Sequence, residues 1–99
     1  MKLWIDAVRP APEGYKLAKS DMSAIICIID REVTGCPYEL LDIDSNKGCH
    51  SPVTGRYINL LSWLEETGRN YPIHIHSMNP VDVANIRAII EKNGWKEVF

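Results

Sequence analysis

The sequence predicts an α/β fold: a three-layer arrangement whose mostly parallel sheet of four or five strands, in the order 2-1-3-4-5, carries helices on both faces. Three observations lead there. Short apolar runs ending in a polar residue alternate with segments whose apolar residues recur at helical spacing. Prolines and glycines fall between these segments or in their first turns. Acidic and imidazole side chains collect just after the apolar runs, at the carboxyl ends that parallel strands would share.

Lys2 to Ile5 alternates little and is followed by Asp6, as expected of a short buried strand with a polar residue at its carboxyl edge. Arg9-Pro10-Ala11-Pro12-Glu13-Gly14 holds two prolines and a glycine, so a loop replaces the usual helix; it is short for a crossover between parallel neighbours. Tyr15 to Ala18 adds a brief second strand. Ser20 or Asp21 caps a helix whose apolar face is expected to be Met22, Ile25, Ile26, Ile29 and Val33, with Gly35 beyond its end. Tyr38 to Leu41 runs into Asp42-Ile43-Asp44, a strand with an acidic tip, and Ser45-Asn46-Lys47-Gly48 marks a turn with a solvated Lys47.

A second helix is expected from near Thr54, with Tyr57, Leu60, Leu61 and Leu64 on one face, Trp63 at its margin and Gly68 past its end. In Tyr71-Pro72-Ile73-His74-Ile75-His76-Ser77 isoleucine and histidine alternate, so an extended chain sends them to opposite faces. Asn79-Pro80 starts a third helix, with Val83, Ile86 and Ile90 facing inward and Asn93-Gly94 closing it. Trp95 to Phe99 is expected as a last strand or a packed tail.

Ninety-nine residues, 45% hydrophobic and 24% charged, suit one domain over 1–99 and exclude a disordered or disulfide-dense class. Eleven basic against 13 acidic residues give a net charge of −2, which predicts no extended nucleic-acid surface and no attraction to anionic membranes. The N-terminus MKLWIDAV is too short and too soon interrupted by Asp6 to be a signal peptide, no apolar run is of transmembrane length, and a cytoplasmic location follows by default. Cys27, Cys36 and Cys49 form no CxxC pair and read as reduced thiols, Cys27 as a small core residue and the others in loops; Cys49-His50 is a weak metal pair.

The chemistry-bearing residues are Asp6, Asp42 and Asp44, expected to converge at neighbouring strand tips, although such acids also fit plain helix caps or solvated loop starts. Three carboxylates so close call for a cation, a donor-rich ligand or a retained proton. His74 and His76 share one face of the fourth strand and can exchange protons near neutral pH. Ser77, Asn79 and the amides at the helix start suit phosphate oxygens, although Asn79 also fits a plain cap and His74 a core histidine. Arg9 can clamp an anion or pair with the acids.

Leu3-Trp4-Ile5-Asp6, Arg9-Pro10-Ala11-Pro12, Leu41-Asp42-Ile43-Asp44, Trp63-Leu64-Glu65-Glu66 and above all Ile73-His74-Ile75-His76-Ser77-Met78-Asn79-Pro80 resemble the cyclic-phosphate-processing receiver domain family. The resemblance implies a shortened receiver-like, flavodoxin-like fold of the kind found in bacterial and phage proteins. It also implies action on cyclic phosphates such as RNA ends, with Asp6, Arg9, Asp42, Asp44, His76, Ser77 and Asn79 at the site. The sequence departs from the pattern at two places. The usual Asp-Asp-Glu-Arg-Pro reads Asp6-Ala7-Val8-Arg9-Pro10, and the usual Asp-His-Asp-Leu-Gly reads Asp42-Ile43-Asp44-Ser45-Asn46. There is no lysine at the usual receiver position after a fifth strand, which argues against phosphorelay signalling.

Two functions compete at this stage. One is a phosphoesterase that opens a cyclic phosphate, with His76, Asp42 and His74 catalytic, Arg9, Ser77 and Asn79 on the phosphate, and Asp6, Asp42 and Asp44 holding Mg²⁺ or Mn²⁺. The other is a catalytically degenerate receiver-like domain that binds a phosphorylated ligand or a protein. A plainer option is an interaction module that docks or dimerises through Trp95 and Phe99. The expected partner is a small phosphate-bearing ligand or an RNA end, with the oligomeric state open.

Overall fold

A computed structural model describes residues 1–44 and 56–99, the side chains of 56–58 excepted. The elements run β1 (Lys2–Ile5), β2 (Tyr15–Ala18), α1 (Asp21–Val33), β3 (Leu40–Ile43), α2 (Arg56–Glu66), β4 (Ile73–Ile75) and α3 (Pro80–Asn93). All strand pairs are parallel, in the order β2-β1-β3-β4. The turn at 45–48, the Cys49-His50 pair, the start of the second helix near Thr54 and the Tyr57 side chain lie outside the described residues.

Pairing of β1 with β2 across the helix-free connection is achieved locally. Asp6 Oδ1 accepts the N–H groups of Val8 (2.8 Å) and Arg9 (2.9 Å), which folds the chain back on itself. Gly14, at φ 86°, makes the final left-handed turn, and the Tyr15 N–H donates to the Pro12 carbonyl.

Crossovers β2–α1–β3 and β3–α2–β4 advance in the same direction across the sheet, so right-handedness carries α1 and α2 over one face. Leu3, Ile5, Leu41, Ile43 and Ile73 from the strands join Ala24, Ile28, Leu60, Leu61, Leu64, Ile86 and Ile90 from all three helices in one buried cluster. Helix cover expected on both faces is therefore found, among the described residues, on one; the Pro-containing segment stands where a helix for the other face would be.

Three further sequence expectations change. Met22, Ile26, Ile29 and Val33 were expected to face the core, yet they are 62, 60, 41 and 80% exposed, while Ala24 and Ile28 are buried and Ile25 is partly so. Residues 25–29 are nearly all apolar, so more than one stripe satisfies helical spacing, and the sheet selects the one with the small Ala24. The fifth strand shrinks to one parallel bridge between Ile73 and Glu97. Trp95 is buried in the core and only Phe99, 91% exposed, remains outside, so the two do not form a docking patch.

The caps follow the sequence. Ser20 Oγ accepts the Ser23 N–H, and Asn79 Oδ1 accepts those of Val81 and Asp82. Gly94, at φ 68°, closes α3. At the amino ends of the strands, Arg69 makes a two-pronged ion pair with Glu32, and Tyr71 donates to the same carboxylate. Cys27 packs against the core and Cys36 is exposed; both are free thiols.

Candidate functional site

Period-two alternation places one row of side chains straight across the helix-free face: Leu17, Trp4, Asp42 and His74 occupy facing register positions. Two residues further on, where the strands end, Asp6, Asp44 and His76 continue that face. Their N–H groups keep the ladder going, donating to Ala18, Ile5 and Ile43 carbonyls at 3.0, 3.0 and 2.9 Å. The expected meeting of Asp6, Asp42 and His76 at one rim is thus present in the geometry.

Asp42 is only 3% exposed, and its Oδ1 receives both His74 Nδ1 at 2.8 Å and His76 Nδ1 at 2.5 Å. The other nitrogen of His76, Nε2, lies 3.1 Å from Asp6 Oδ2. One imidazole therefore spans two buried carboxylates, and it satisfies both only when both nitrogens carry protons. Burial would raise the Asp42 carboxyl, but the hydrogen bonds of His76 and His74 outweigh it and hold the group below the usual carboxylate range. For Asp6 burial again acts upward, and the N–H groups of Arg9 and Val8, with the His76 ring, pull the carboxyl down.

Arg9 bends back over the rim, its Nη1 donating to the His76 carbonyl at 3.3 Å and standing 3.8 Å from Asp6 Oδ2. Its side chain stays 46% exposed, so the guanidinium both ties two loops together and faces solvent. Ser77 Oγ accepts the Asn79 N–H at 3.1 Å, and Asn79 spends its carboxamide oxygen on the helix cap. Among the described residues, two sets offer ligand atoms all within 4.8 Å of one another: Asp42, His74 and His76, and Asp6, Asp44 and His76. The three acids singled out from the sequence are thus divided between the sets.

Sequence reasoning does not single out Trp4, Tyr15 or Asp82. The Trp4 indole stacks on the His76 ring at 3.8 Å between centroids and 6° between planes, and meets the Tyr15 ring edge-on at 5.6 Å. Burial, and then the facing Asp42 carboxylate, push the Tyr15 phenol up. Asp82 is buried in the first turn of α3. A usable signal for Trp4 was its place two residues before Asp6, which puts both on one face of a strand. A cleft of about 370 Å³ bordered by Glu32, Tyr38, Arg69 and Tyr71 lies at the other end of the strands. It holds no imidazole, and its Arg and Glu are paired with each other.

Among the described residues, a four-strand parallel sheet of order 2-1-3-4 with three helices, bearing acids and histidines at its carboxyl rim, defines a shortened receiver-like domain of flavodoxin-like type. Residues 1–92 match the family model described as the cyclic-phosphate processing receiver domain, and the chain belongs to that family. The family's description ties this receiver domain to cyclic-phosphate processing. No curated protein and no solved structure matches the chain.

Proposed function

We propose that the protein opens a cyclic phosphate ester at this rim, as a phosphoesterase. The observation that carries the reading is the Asp42–His76–Asp6 line with a second imidazole, His74, on the same Asp42 oxygen. Ring opening forms a bond from water oxygen to phosphorus and breaks one ester P–O bond; the proton leaves water and is delivered to the departing alkoxide. Two imidazoles backed by carboxylates suit those two transfers. His74 donates Nδ1–H to Asp42, which leaves Nε2 for proton exchange, and its side chain is 36% exposed against 9% for His76.

Arg9, half exposed above His76, faces the phosphate, and Ser77 and Asn79 at the start of α3 line the same edge. The substrate is a small phosphate-bearing ligand or an RNA end. Carboxylates suit a hard divalent cation, and Asp6 and Asp44 at the rim would hold Mg²⁺ or Mn²⁺. Such an ion, when bound, polarises a phosphoryl oxygen.

A second reading is a binding domain without chemistry. Ala7 and Val8 stand where the family pattern has acids, and both His76 nitrogens are already engaged. Incubation with a nucleoside 2′,3′-cyclic phosphate, with and without Mg²⁺ or Mn²⁺, separates the two. Turnover that drops about 10²- to 10⁴-fold in His76→Ala supports catalysis. A melting temperature raised by the ligand, with no product above the His76→Ala background in any metal, leaves the binding reading alone.

A further inference from the structure

We infer that Trp4 is a positioning residue for the proposed reaction, fixing the plane of His76 so that each ring nitrogen meets its own carboxylate. The inference rests on the phosphoesterase reading for its kinetic consequence and on geometry for its structural one.

Hydrogen bonds alone set His76 between Asp42 and Asp6 at 2.5 and 3.1 Å, but they leave the ring free to tilt about the line joining the two oxygens. The indole removes that freedom. Its plane lies 6° from the imidazole plane at 3.8 Å, a contact that a ring tilted out of that plane would lose. Trp4 is itself held, since β1 places it opposite Asp42 in register and Tyr15 braces it edge-on. Its Nε1 is buried and finds no acceptor among the described residues, so packing rather than a hydrogen bond locates the indole. The stack also covers one face of the imidazole, and His76 is left 9% exposed, which keeps water from competing for Asp42.

Nothing in this role touches substrate, so removal of the indole should lower turnover more than binding. The test compares Trp4→Phe and Trp4→Leu in the full chain, with two readouts. In NMR, the carbon-bound ring protons of His76 are shifted upfield by the indole in the wild type; Trp4→Phe keeps part of the shift, and Trp4→Leu abolishes it and broadens the ring signals. With a nucleoside 2′,3′-cyclic phosphate, kcat falls about 10²-fold in Trp4→Leu, the loss expected of a catalytic group misplaced by about 1 Å, while KM changes little and Trp4→Phe recovers most of the rate.

Should Trp4→Leu fail to fold, Trp4→Phe and Trp4→Tyr still carry the NMR comparison. If the wild type turns over no cyclic phosphate, the phosphoesterase reading falls while the NMR readout still decides whether Trp4 orients His76. If Trp4→Leu keeps the wild-type His76 shifts, or loses them with kcat unchanged in an active wild type, the inference is overturned.

Discussion

Replacing Asp42 by Asn isolates the acceptor that both histidines share. The side chain keeps its size and still offers one oxygen to both Nδ1–H groups, but that oxygen becomes a neutral amide carbonyl and the negative charge the two imidazoles share is gone. Each hydrogen bond to a charged group contributes about 1.5–3 kcal/mol. Reducing both from charge-assisted to neutral strength at a site only 3% exposed predicts a destabilisation of about 2–4 kcal/mol. For a chain of 99 residues each kcal/mol moves the melting temperature by about 4–8 °C, so Asp42→Asn should melt about 8–32 °C lower.

The acid limb gives the same claim a second reading. Asp42 and Asp6 have folded-state pKa values below the ordinary carboxylate value of about 3.9. Their contribution is complete above the unfolded value and is lost as pH falls through it toward the folded one. Wild-type stability should therefore decline between roughly pH 5 and 2, and Asp42→Asn should show a shallower decline. Urea unfolding followed by circular dichroism at pH 7 and pH 3 measures both. A loss below about 1 kcal/mol at pH 7, or an acid limb identical to wild type, would refute the shared-acceptor geometry.

Other substitutions separate roles that overlap in the sequence. Asn79→Asp keeps the cap acceptor on Val81 and Asp82, so its melting temperature should stay near wild type; slower turnover in that variant would assign the amide to phosphate, and unchanged turnover would leave it a cap alone. Ile28→Ala should cost about 2–5 kcal/mol whereas Ile26→Ser stays within about 0.5 kcal/mol, and equal losses in urea titrations would overturn the orientation of α1. Gly94→Ala should cost about 1–2 kcal/mol through its left-handed backbone alone, because an added Cβ there meets no atom within 4 Å. The Tyr71 phenol is pushed up by burial and by Glu32, so its contribution is full below an unfolded pKa of about 10 and lost as pH rises beyond; Tyr71→Phe should flatten the alkaline limb of stability.

Elements bounded by strong local chemistry were legible before the structure. Ser20 and Asn79 cap their helices, Gly35, Gly68 and Gly94 take left-handed conformations just past the helix ends, and the Ile-His alternation sets the faces of β4. Asp6, Asp42 and His76 could be brought together from sequence because parallel strands put their tips side by side. Trp4 and Tyr15 could not, since an aromatic in a strand looks the same whether it fills a core or braces a site. The face of α1 was misread for a related reason: an unbroken isoleucine-rich stretch carries hydrophobicity but little direction. The tail was ambiguous because four residues after Trp95 suffice for one bridge and not for a ladder.

That single bridge carries a practical consequence for handling the protein. Ile73, fully enclosed, donates its N–H to Lys96 and receives that of Val98, so the last few residues supply both main-chain partners of a residue in the middle of the molecule. Cutting the chain after Trp95 would strand those two groups and bare the outer edge of β4, inviting another molecule to zip onto it. Affinity handles therefore belong beyond Phe99 on a spacer, and a shortened version should be judged first by whether it stays monodisperse.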